Sequence, residues 1–155
     1  MARYSPDEAS TLALAAHEVA HAVACRAAAA TRASRLTVRR VVLTAENGFI
    51  QHSPVDPDNQ DQINTALIVA LAGREGAARW VQRNAGYWRG SAMRWAAQGC
   101  DSDLTYFHRM KHHSNRSTGW LENRARAVVA GNWGRIDRLA HKLAADGRLS
   151  GRHFA

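Results

Sequence analysis

Apolar residues recur along this chain in two rhythms, and the change of rhythm divides it into elements. Ile63, Ala66, Leu67, Ala70, Leu71, Ala77, Ala78 and Val81 keep the three- and four-residue spacing of a buried helical stripe, in a helix that begins between Asp58 and Asp61. An earlier helix starts at Ser5-Pro6-Asp7-Glu8, where Ser5 can cap, Pro6 suits the first helical position and Glu8 completes a capping box. It is expected to run to about Ala30. Between the two, residues 36–43 are rich in β-branched side chains and read as a strand. Glu46-Asn47-Gly48 reads as a turn and Phe49-Ile50-Gln51-His52 as the partner strand of a hairpin, closed by Pro54 and Pro57.

The second half is helical with interruptions. Residues 85–100, with Gly86, Gly90, Gly99, Tyr87, Trp88 and Trp95, predict a loop or short helical excursion. Asp101 or Ser102 can cap a third helix through about His113. A fourth is expected from about Trp120 to Asp146, carrying Leu121, Ala125, Val128, Val129, Ile136, Leu139 and Leu143. Gly131 and Gly134 weaken its middle and Gly147 is a C-terminal stop. The pattern predicts one α+β domain over residues 1–155, predominantly helical, with a small hairpin or sheet beside the first helix.

That first helix carries the candidate chemistry. His17-Glu18-Val19-Ala20-His21 is an HExxH motif, and positions i and i+4 lie about 40° apart around a helix, so both imidazoles leave one face and can share a metal ion. Neutral imidazoles bind zinc, and Glu18, beside the first of them, can accept a proton from activated water. The plainer alternative is a pair of surface histidines flanking a glutamate. Leu12, Ala15, Ala16, Ala20, Ala22 and Val23 argue against it, because they place the motif in partly buried surroundings. A catalytic zinc needs a third protein ligand. Asp101, Asp103, His108, His112, His113, Glu122 and His141 are of suitable type, and spacing does not choose among them. Residues 22–31 contain no histidine, which excludes an extended H-x-x-G-x-x-H ligand set.

Composition adds a competing reading. The chain has 155 residues, 30 of them Ala, and 19 of its 21 basic residues are Arg; the formal charge is +8. So basic a balance suits nucleic acid or another acidic partner. Arg39, Arg40, Arg74, Arg79, Arg83, Arg89 and Arg94, with Trp80, Trp88 and Trp95 interleaved, could form a basic aromatic face giving weak, non-specific nucleic-acid binding. No nucleic-acid fold signature accompanies them. Cys25 and Cys100 are too few for a disulfide framework. The opening residues do not read as a signal peptide, and charged residues interrupt the Ala-rich stretch from Leu12 to Ala30, so a cytoplasmic protein without a membrane span is expected.

Four segments in order resemble the peptidase domain of FtsH-type ATP-dependent zinc metalloproteases. His17-Glu18-Val19-Ala20-His21-Ala22-Val23 is similar to that family's HEAGHAV helix. Leu36 to Pro54, ending Gly48-Phe49-Ile50-Gln51-His52-Ser53-Pro54, resembles the strand pair after it. Leu71-Ala72-Gly73-Arg74-Glu75-Gly76-Ala77-Ala78 is similar to the LAGRAAE helix, and Gly99-Cys100-Asp101-Ser102-Asp103-Leu104 to the GASNDL segment. The resemblance implies a zincin-like metalloendopeptidase with Zn2+ held by His17, His21 and Asp103, with Glu18 as general base, hydrolysing unfolded or flexible polypeptides. Ala20 stands where the family has glycine, and it is expected to tighten packing against the hairpin. Arg74 and Glu75 could pair with each other or simply cover their helix. No G-x-x-x-x-G-K-[ST] occurs in these 155 residues, so any ATPase motor would act in trans. The aromatic segment before Asp101 has no counterpart in the family's pattern, and no residue stands out as a second oxyanion donor.

Overall fold

The computed structural model describes residues 3–155 and has six α-helices around one hydrophobic core, with a three-stranded antiparallel sheet on one side. The chain is a predominantly helical α+β protein. The first helix, α1 (Pro6–Ala27), begins as its sequence dictates: Ser5 Oγ accepts from the Glu8 N–H, and the Glu8 carboxylate accepts from the Ser5 N–H. From Leu12 to Cys25 nearly every residue is buried, because neighbours cover α1 on several sides. It ends at Ala27 rather than near Ala30. The chain then turns back through a short 3-10 turn, Arg32–Ser34, and the Leu36 N–H bonds the Cys25 carbonyl.

The sheet follows. β1 (Val38–Leu43) and β2 (Gly48–His52) form the expected hairpin, with Val41 opposite Ile50 and an irregularity between Val38 and Arg40. A third strand, β3 (Arg148–Ser150), lies on the other side of β1, giving the order β2-β1-β3. It escapes the sequence pattern because three residues with one apolar side chain, Leu149, carry no periodicity. β2 is therefore an edge strand.

The longest helix, α2 (Gln60–Ala85), is capped by the Asn59 side chain and runs across α1. Ala20 meets this helix: a Cβ on Gly76 would come within 2.5 Å of Ala20 Cβ. Small residues at the crossing thus let the two backbones approach closely. Residues 85–100 contain a real helix, α3 (Arg89–Ala97), docked on α2. Arg74 and Glu75 do not pair with each other. Glu75, buried, receives both guanidinium arms of Arg89 at 2.8 and 2.9 Å, while Arg74 Nε donates to the Met93 carbonyl. α4 (Asp101–Met110) follows, extended by a 3-10 turn, Lys111–His113.

The expected fourth helix is two, α5 (Thr118–Gly131) and α6 (Trp133–Asp146). The break falls at Asn132, whose backbone N–H still reaches the Val128 and Val129 carbonyls while its side-chain amide donates to the Val128 carbonyl as well. The turn lets α5 pack on α2 while α6 packs on α1, which one straight rod could not do. Gly147, at φ 76°, ends α6 in the left-handed conformation that favours glycine and leads into β3. Among the described residues, no helix is long and apolar enough to cross a membrane.

Candidate metal centre

The middle of α1 brings His17 and His21 to one face, as i and i+4 require, and α4 delivers Asp103 in its first turn. The three side chains converge on one point. His17 Nε2 lies 3.0 Å from Asp103 Oδ2, His21 Nε2 lies 3.1 Å from the same oxygen, and the two Nε2 atoms are 3.0 Å apart. They are the group of His, Cys and acidic side chains, among the described residues, whose donor atoms gather closely enough for a metal ion. Asp101, His108, His112, His113, Glu122 and His141 are exposed and stand outside the cluster.

The donor chemistry fits a cation. His21 Nδ1–H donates to the Val69 carbonyl at 2.6 Å, so in the neutral ring Nε2 carries a lone pair. His17 turns its Nδ1 toward Cys100 Sγ at 3.9 Å, and that thiol in turn donates to the Ala96 carbonyl. Two lone pairs and a carboxylate oxygen thus face one another at about van der Waals range. A tetrahedral ion with bonds of about 2.0–2.1 Å holds its ligand atoms about 3.3 Å apart, close to this triangle. Without a metal, protons must serve instead. Burial opposes a charge on His21, yet the Asp103 carboxylate, with Glu18 and the Val69 carbonyl, overcomes it and raises the imidazole to about 9. For Asp103 burial likewise works against the charge, and hydrogen bonds from His17 and His21 hold the carboxyl well below its usual range.

Gly73 of α2 explains how the ligands fit beneath that helix. A Cβ there would lie 2.4 Å from His21 Nε2 and 2.8 Å from His17 Cε1. Only a hydrogen leaves room for both rings. Glu18 is 6% exposed, with Oε1 3.9 Å from His17 Nε2, and its side chain rests against the backbone of Gly48 where β2 begins. No hydrogen bond from another described residue ties up its carboxylate, which opens on a cleft of about 560 Å3. The cleft has an apolar wall that includes Leu14, Phe49, Ile50, Val55 and Val69, and polar positions at His52, Ser102 and Tyr106.

Val69, Gly73, Cys100 and Tyr106 have site positions that motif reading does not single out. Of these, Gly73 sits inside the LAGR-like segment and Cys100 directly before Asp101, so the matched segments held a signal for both. Cys100 is buried, and burial, reinforced by the Asp103 carboxylate, pushes its thiol up to about 12.

The residues of the competing basic aromatic face are dispersed. Trp80 is in the core, Arg89 is held by Glu75, Arg74 by a carbonyl, and Arg79 stacks 5.9 Å from the Trp133 ring. Arg39, Arg40, Arg83, Arg94 and Trp88 remain exposed, with Arg94 over Trp88. No protein-family model matches the chain, and a search of curated proteins finds no match.

Proposed function

We propose that this protein is a zinc-dependent endopeptidase of the FtsH-peptidase type, acting on unfolded or flexible polypeptides. The observation that carries the reading is the convergence of His17 Nε2, His21 Nε2 and Asp103 Oδ2 within 3.1 Å, with the Glu18 carboxylate beside it at the cleft. Zinc at this position would supply Lewis acidity, making water nucleophilic near neutral pH and drawing charge from a carbonyl oxygen. The protein's own part is to hold that geometry and to move protons. Val69 fixes the His21 tautomer, which leaves its Nε2 free as a ligand. Glu18 takes the proton of the attacking water and hands it to the leaving amine. Its freedom from other hydrogen bonds suits that shuttle.

Substrate class follows from the walls. β2 is a sheet edge whose residues Gly48, Phe49, Ile50 and His52 border the cleft. An extended backbone can add to such an edge through main-chain hydrogen bonds with little sequence demand. The apolar wall suits large apolar side chains, which unfolded chains expose and folded proteins hide. The test is cleavage of a permanently unfolded protein by the zinc-loaded chain, stripped by chelator and restored by added zinc. Cleavage that survives complete metal removal would overturn the proposal.

A further inference from the structure

The cleft has an acid–base group and three ligand atoms, but no lysine or arginine lines it. A tetrahedral intermediate places a negative oxygen there, and a single cation rarely carries that charge alone where a preorganised donor can share it. The neutral donors in the cleft can be compared. His52 donates Nδ1–H to the Ser53 carbonyl at 2.7 Å, so its neutral ring offers the cleft only an acceptor. Ser102 and Asn47 are both exposed, the first beside the inward-turned Asp103 and the second in the hairpin turn at the rim. Tyr106 remains.

We propose that Tyr106 donates its phenolic O–H to the oxyanion that forms when the peptide carbonyl is attacked, an inference that rests on the peptidase reading. Tyr106 lies three residues after Asp103 on α4, so the two share a helix face and both line the cleft. Its ring packs against the core, which fixes its position, and no hydrogen bond to another described residue occupies its hydroxyl. Burial keeps the phenol above its ordinary range, against the pull of Arg109, so the proton stays on oxygen near neutral pH. The group is thus a held, uncommitted donor. It binds the oxygen as negative charge develops and releases it when the C–N bond breaks and the carbonyl re-forms.

The experiment compares wild type with Tyr106→Phe, which removes one oxygen and keeps the ring. Zinc content and unfolding midpoint should be unchanged, kcat on an unfolded protein should fall about 10²–10³-fold, and KM should move little. A phosphinic peptide, whose tetrahedral oxygen mimics the oxyanion, should bind the variant more weakly by a similar factor by calorimetry, whereas an uncleavable ground-state peptide should bind both proteins alike. Equal kcat and equal phosphinic-peptide affinity in the two proteins would overturn the role of Tyr106 and leave the peptidase reading standing. A wild type that neither cleaves nor binds the phosphinic peptide would remove that reading and this inference together.

Discussion

Replacing Gly73 by alanine adds one methyl group at the point where α2 crosses the two histidines. The new Cβ would lie 2.4 Å from His21 Nε2, 2.5 Å from His21 Cε1 and 2.8 Å from His17 Cε1, where ordinary contact begins near 3.4 Å. About 1 Å of movement is therefore required at His21. The ring has little freedom to give it, because Nδ1 is anchored to the Val69 carbonyl on α2 itself. Either the helices separate or His21 leaves the ligand triangle. Overpacking of a closed core costs about 1–3 kcal/mol, and the helix-propensity gain of Gly→Ala returns about 1 kcal/mol at most. The net expectation is a loss of up to about 2 kcal/mol in the metal-free protein, read by denaturant unfolding. Metal sites tolerate about 0.2 Å of ligand displacement, so zinc affinity, read by competition with a chromophoric chelator, should fall at least tenfold. Gly134→Ala is the control: it lies within α6, its added Cβ meets nothing within 4 Å, and it should gain stability with zinc affinity unchanged. A Gly73→Ala protein as stable as wild type, with equal zinc affinity, would refute the account of how the site is packed.

The third ligand is tested by Asp103→Ala, which should weaken zinc binding by at least tenfold in chelator competition, whereas Asp101→Ala, altering an exposed side chain, should not. In the metal-free protein His21 is raised from 6.5 to about 9, so its contribution to stability is complete below pH 6.5 and is lost as pH rises through 9. Asp103 is held below its ordinary 3.8, so its contribution is present above that pH and is lost in acid. Unfolding midpoints of metal-free protein should therefore decline from pH 6.5 to 9, and zinc binding at pH 7 should release about one proton, seen by calorimetry in buffers of different ionisation enthalpy; binding without proton release would contradict the assignment. A stable fold hides its peptide bonds behind about 5–15 kcal/mol, so the isolated chain should cut an unfolded variant and spare its tightly folded parent, with or without ATP, in a parallel digestion.

Much of this arrangement was legible in the sequence, and the misses have physical causes. The HExxH spacing fixes two imidazoles on one face because helical geometry is local, and the capping box fixes where that helix starts. Asp103 is not local: its approach depends on α3 and on the Glu75–Arg89 pair that docks α3 against α2, so spacing alone left several candidates open. The same non-local packing decided that α5 and α6 part at Asn132, because α5 covers α2 while α6 covers α1, a division that an unbroken apolar period does not show. β3 was invisible because three residues hold strand geometry only through β1. Ala20 showed its size in the sequence but not its partner, Gly76.

The central claim is that a metal-held site uses Glu18 as its base. Glu18→Gln keeps the shape of the side chain against Gly48 and removes its capacity to accept a proton. The decisive measurement pairs zinc content with cleavage of an unfolded protein for wild type and Glu18→Gln prepared side by side. The account predicts about one zinc per chain in both proteins and hydrolysis reduced by at least 10²-fold in the variant. A Glu18→Gln protein that cleaves as fast as wild type would contradict it.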